Sequence, residues 1–291
     1  MALLAAVLAV SWGSILARLC DAGPLAVAFW RMTLSTLIVL PFALLPTPSL
    51  QPVLSGRIFA LVAGSGLLLA LHYATWISSL LYTSVASSVL LVSTQPLFGV
   101  VLSRIFLRET ASARTVAAVL VSLAGTAVIG WGDLRMGASH WLGDLLALSG
   151  AAFAAGYLLI GRGVRERIGF AHYLARVYVS ATIALATILI AAGQAGGAAS
   201  RTDWHWLILM AVGPGVAGHG LLNWSVRRLR AYVVNAALLG EPILATVYAW
   251  LVFGEAPGGH VYLGGILVIV GLVWVFLEEG SPAGHGGPSG L

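Results

Sequence analysis

Lysine is absent from this chain, and all 15 basic residues are arginine. Charge of either sign is scarce: 9% of residues are charged, where soluble domains carry about a quarter. A chain this poor in charge has no surface to offer water. The single cysteine, Cys20, excludes an internal disulfide and any cysteine-built metal cage. No G-x-x-x-x-G-K-[ST] loop, H-E-x-x-H helix or G-x-S-x-G elbow occurs, which leaves P-loop nucleotide hydrolysis and two common hydrolase chemistries without their residues. The net charge of +5 is not read as affinity for nucleic acid, because arginine position carries the information here. No basic leader or A-x-A-like site precedes the first apolar run, so no cleavable signal is expected.

What is present is apolar. Hydrophobic residues make up 59% of the chain and mean hydropathy is +0.97, so lipid is the expected solvent. A bilayer core of about 30 Å takes roughly 20 apolar residues per helix. Breaks at charges and Pro/Gly runs divide the chain into ten such spans, near 2–19, 24–45, 57–81, 84–107, 112–132, 141–161, 170–192, 204–226, 231–253 and 259–277. The prediction is an all-α polytopic membrane protein. Arginine bias sets its orientation. Ten arginines (57, 104, 108, 114, 162, 165, 167, 227, 228 and 230) fall on one side, against Arg18, Arg135 and Arg201 on the other. This predicts an inner-membrane protein with both termini cytoplasmic. The tail, 278–291, ends in Gly, Pro and Ser without an apolar face and is expected to be disordered.

Two stretches raise a question of symmetry. "TQPLFGVVLSRIFLRE" (94–109) and "GEPILATVYAWLVFGE" (240–255) each place a glutamate thirteen residues after a proline. Pro96 and Pro242 are 146 positions apart, as are Glu109 and Glu255. Arg31 and Arg176, His72 and His219, and Trp12 and Tyr157 recur at nearly the same offset. Five spans separate the copies, so the halves cross the membrane in opposite directions: an inverted repeat, 1–132 and 141–277, joined by a short periplasmic linker at 133–140. The chain resembles the EamA branch of the drug/metabolite transporter superfamily. "VSWGSILAR", "FWRM", the two Pro-x12-Glu helices and "LGDLLALSGAAFAAGYLLIGR" carry the likeness, over about 3–277. The resemblance implies ten helices in two inverted five-helix units and transport of metabolites, mostly export.

Candidate chemistry sits at mid-membrane. Glu241 lies about 14 Å into its span, at 1.5 Å per residue, where an ionised group is costly and faces a cavity or a partner. It binds a substrate amine or exchanges a proton on one reading, and braces a neighbouring helix on the other. His219 and Asn223, one turn apart, share its depth, as do Gln95, His72 and Trp76. Each of these is a ligand or an ordinary helix–helix contact. Arg31 and Arg176 either snorkel to an interface or neutralise an anionic substrate. Trp12, Trp76 and Tyr157, with Tyr73 and Trp224 as further candidates, form a cavity wall or an interfacial belt. Pro96 and Pro242 each free a carbonyl, at Val92 and Leu238, marking hinges on a translocation path or simple packing kinks. Glu109 and Glu255 read as helix caps or gate braces, and the glycines of spans 5 and 10 as close-packing positions.

The function these features favour is secondary active export of a small metabolite, an amino acid or related amphiphile, by alternating access with protons as a candidate coupling ion. No enzyme activity, cofactor, metal or nucleic-acid partner is expected. The expected partners are the substrate and the lipid bilayer. The alternatives are an intramembrane enzyme using His72, His219 and Glu241, and an assembly subunit with no cavity.

Overall fold

A computed structural model describes residues 2–44, 55–107, 112–168, 170–194, 200–218, 221, 238 and 240–279. His219, Asn223, Trp224, Arg108 and Glu109, and the side chains of Arg162, Arg165 and Arg167, lie outside what is described, as does the tail beyond Glu279. All regular structure among the described residues is helical. The first span is two pieces, α1 (Ala2–Val10) and α2 (Gly13–Arg18). They are followed by α3 (Pro24–Leu44), α4 (Gly56–Ser79), α5 (Val85–Val92), α6 (Gln95–Leu102), α7 (Ala113–Met136), α8 (Ala138–Ile168), α9 (Phe170–Ala191), α10 (Arg201–Met210), α11 (Gly240–Phe253) and α12 (Gly259–Glu279). Seven stretches are long and apolar enough to cross a membrane, one of them α5 and α6 taken together, and Ala2–Arg18 and Gly240–Phe253 are shorter apolar helices.

Large apolar side chains point outward: Phe106 is 70% exposed, Leu251 67% and Ile190 64%. In water that surface would aggregate, whereas in lipid it is solvated. Lipid also removes most of the hydrophobic drive between helices, so close approach and hydrogen bonds must hold them together. Glycine supplies the approach in the α7–α12 pair. A Cβ on Gly271 would stand 2.7 Å from the Ala118 carbonyl oxygen and 2.7 Å from the Ser122 nitrogen. A Cβ on Gly125 would stand 2.7 Å from the Val268 nitrogen and would also meet the Gly264 backbone.

These contacts repeat under one shift. Residues 118, 122 and 125 become 264, 268 and 271 on adding 146, so both backbone contacts of Gly125 have their counterparts at Gly271. Ser122 donates to the carbonyl of Val268, 146 residues on, at 2.9 Å. Thr36 on α3 and Thr182 on α9, again 146 apart, bring their hydroxyl oxygens to 3.0 Å.

Three boundaries differ from the sequence reading. The stretch 133–140 is helical on both sides of one residue: α7 runs through Asp133 to Met136 and α8 starts at Ala138, with Gly137 alone between them at φ 141. Only glycine accepts that backbone readily, so one residue turns the chain. The fourth span breaks ahead of Pro96, between α5 and α6. Hydroxyls occupy carbonyls exposed there, Thr94 donating to Leu91 at 2.6 Å and Ser93 to Val89 at 2.7 Å. Finally, α10 passes into a wide π-type turn, Ala211–Gly218, around Pro214, a break the sequence reading did not single out.

Candidate functional site

Arg31 occupies the middle of α3 and does not snorkel: it is 3% exposed. Its guanidinium lies 4.4 Å from the centre of the Tyr73 ring and 5.6 Å from that of Trp76, both on α4. Tyr73 and Trp76 are three residues apart, one helical turn, and so present neighbouring faces. His72 continues the platform, its ring lying near-parallel to Trp76 at 5.9 Å. One ring nitrogen of His72, Nδ1, is committed to the carbonyl of Gly150 on α8 at 2.9 Å. Arg31 also interacts through space with Tyr178 of α9 and with Glu241 in the first turn of α11. No carboxylate lies within 4 Å of Arg31 among the described residues. The group therefore draws on α3 and α4 from one half of the chain and α9 and α11 from the other.

A second arrangement closes one end of the bundle. Arg18, the last residue of α2, forms an ion pair with Glu255, just beyond α11. The other oxygen of Glu255 accepts from the backbone N–H of Val85 at 3.0 Å. One carboxylate thus ties α2 and the end of α11 to the start of α5, satisfying an orphan amide of that helix. Nearby, the Thr83 hydroxyl lies 3.1 Å from a carboxylate oxygen of Asp133 and 3.1 Å from one of Asp144. A hydroxyl has a single hydrogen and cannot donate to both at once. His260 of α12 stands 2.6 Å from the other Asp133 oxygen. A cavity of about 360 Å³ opens at this end, lined by Arg18, Thr83, Asp133, His140, Glu255 and His260 among others.

Ahead of the apolar part of α10, Asp203 completes a capping box with Ser200 and also accepts from the backbone of Asp21 at 2.8 Å. Burial opposes its charge, but N–H donors from Ser200, Asp21 and Ala22 outweigh it and hold the carboxyl below the usual aspartate range. Across the same junction, burial pushes the Cys20 thiol up to about 12, helped by the negative charges of Asp203 and Asp21.

Of the residues singled out in the sequence, the structure brings Arg31, His72 and Trp76 together, with Glu241 in the electrostatic field of Arg31. Trp12 instead stacks on Tyr248 of α11, 4.7 Å between ring centres. Tyr157 packs into the same apolar core as Trp76. Gln95 opens α6. Arg176 buries its Nη1 without a partner, two residues before Tyr178 and about 200° around the helix from it. Pro242 sits in the first turn of α11, and its carbonyl accepts from Thr246 at 2.7 Å. The sequence reading missed Tyr178, Tyr248 and the Asp133–Thr83–Asp144–His260 cluster. Asp133 and Asp144 are eleven residues apart in the sequence, and their position on either side of Gly137 was the available signal.

The model of the EamA-like transporter family matches twice, over residues 1–131 and 141–277. The chain belongs to the EamA-like transporter family. Among curated EamA relatives, an uncharacterized transporter of Synechocystis sp. is 25% identical over 69% of this chain and 60% of its own length. A riboflavin transporter of Brucella anthropi is 24% identical over 87% of this chain and 88% of its own. The match thus spans only about three fifths of the Synechocystis relative. A solved crystal structure covering 94% of both chains has a TM-score of 0.62 at 19% identity, a likeness of fold alone.

Proposed function

We infer that this EamA-family protein is a secondary active transporter whose two halves form an inverted repeat of five helices each, ten crossings in all. A small metabolite binds between the halves, at the group around Arg31 and Glu241, and is exported by alternating access. The observation that carries this reading is the set of contacts that map onto each other under a shift of 146 residues, with Thr36–Thr182 and Ser122–Val268 lying on the symmetry itself. A two-fold relation between halves of opposite orientation gives a chain two nearly equivalent gates. Arg18–Glu255 is one of them, closed here. The interruptions at Pro96 and Pro214 free helix segments to rock against the α7–α12 pair. Both termini face the cytoplasm of the inner membrane, which puts the Arg18–Glu255 gate on the periplasmic side.

The substrate is an amino acid or related amphiphile: the site holds one guanidinium beside two aromatic rings, with one carboxylate in its electrostatic field but not bonded to it. Glu241, charged or protonated according to the side it faces, is the candidate for coupling to protons. His219 and Asn223, which lie outside the described residues, are the candidates the sequence offers to assist it. The test is uptake of radiolabelled amino acids, and of riboflavin as the named substrate of two relatives, into proteoliposomes with and without a proton gradient. Gradient-dependent accumulation of an amino acid supports the reading; accumulation of riboflavin alone, or of nothing in the panel, overturns the substrate assignment.

A further inference from the structure

Among the described residues, the buried side-chain nitrogens without a hydrogen-bond partner include Arg31 Nη1, Trp76 Nε1 and Arg176 Nη1. Two of them belong to one place. Arg31 and Trp76 are 3% and 6% exposed, and the guanidinium carbon lies 5.6 Å from the Trp76 ring centre. Both groups only donate; neither can accept a hydrogen bond. A buried donor left unmade is costly, and in a bilayer water does not readily replace the missing partner. The aromatic platform eases only part of this. A ring attracts a cation through the ring's face, so Tyr73, 4.4 Å from the guanidinium carbon, offers no acceptor to the N–H edge. That edge is the part of arginine that matches a carboxylate.

We propose that Arg31 Nη1 and Trp76 Nε1 form a receptor for the carboxylate of the transported molecule. The proposal rests on the transport reading above and narrows its substrate class to organic monocarboxylates. Two single donors match the two oxygens of one carboxylate. A dianionic phosphate fits poorly, because Glu241 lies within electrostatic reach of the same guanidinium and opposes a second negative charge. Arg176 does not enter the receptor: it projects from another face of α9 than Tyr178, the residue that faces Arg31.

The experiment uses the full chain in detergent and reads thermal unfolding and tryptophan fluorescence against three probes of one shape: L-phenylalanine, 3-phenylpropionate and phenethylamine. Both carboxylates are expected to raise Tm and phenethylamine to leave it unchanged. Trp76→Phe removes one N–H and keeps the ring, and is expected to weaken carboxylate binding about ten-fold, while Arg31→Gln weakens it about a hundred-fold. If Arg31→Gln does not fold, Trp76→Phe and the probe series decide alone. Equal stabilisation by phenethylamine, a Trp76→Phe protein that binds like the parent, or no stabilisation by either carboxylate overturns the receptor. Carboxylate binding without any uptake into proteoliposomes keeps the receptor and removes the transport reading, so the two fail separately.

Discussion

Thr36 and Thr182 stand 146 residues apart in the chain, and their hydroxyl oxygens meet at 3.0 Å. A contact between equivalent positions of two repeats lies on the axis relating them, where rocking moves atoms least. The Arg18–Glu255 pair lies at the rim, where rocking moves atoms most. Paired cysteines separate the two cases. Thr36→Cys with Thr182→Cys, in a Cys20→Ser background, is expected to cross-link readily and keep most transport. Arg18→Cys with Glu255→Cys, once cross-linked, is expected to stop transport, with activity returning on reduction. Transport tolerating the rim cross-link would show that this end does not open.

Glu255 joins three elements, holding Arg18 with one oxygen and the first amide of α5 with the other. Glu255→Gln keeps the shape and removes the charge. It is expected to cost about 1 kcal/mol, read as a Tm drop of a few degrees in detergent, and to raise labelling of cysteines placed along the cavity at this end. The exchange Arg18→Glu with Glu255→Arg is expected to restore the closure but not the cap, because an arginine cannot accept from Val85.

Glu241 shares the electrostatic field of Arg31. Glu241→Gln is expected to lower gradient-driven uptake at least ten-fold and to flatten its dependence on pH, while carboxylate probes still bind at Arg31. Uptake with unchanged rate and pH profile would remove Glu241 from the coupling step.

Asp203 gives stability a pH dependence of known sign. Its folded carboxyl sits below the ordinary aspartate value of about 3.9, held there by backbone donors from Ser200, Asp21 and Ala22 against the effect of burial. The stabilisation is therefore present above the unfolded value and is lost as pH falls through the folded one. Unfolding midpoints below pH 4 are expected to decline more steeply in the parent than in Asp203→Asn, whose amide keeps part of the cap without titrating. Parallel curves would contradict this.

Much of the architecture was legible from composition and periodicity. Long apolar runs place most helices, because lipid leaves the backbone no other way to satisfy itself. The 146-residue offset was readable from two prolines and two glutamates, and the Gly125 and Gly271 contacts follow the same interval. The turn at Gly137 was not legible: polar residues on both sides read as a loop, yet a single positive-φ glycine suffices. At the site, depth along a helix was legible and direction was not. Arg31 and Arg176 looked equivalent in the sequence, but only Arg31 lies over Tyr73 and Trp76. Glu255 and Val85, 170 residues apart, met only through the fold.

The opposed orientation of the halves is tested most directly by sidedness at the two equivalent glutamates, one in each repeat. Glu109→Cys and Glu255→Cys, each alone in a Cys20→Ser background, are labelled with a membrane-impermeant maleimide in intact cells and in inverted vesicles. Labelling of position 255 only from outside and of position 109 only from inside is the expected result. Labelling of both from the same side contradicts an inverted repeat and the two-gate mechanism built on it.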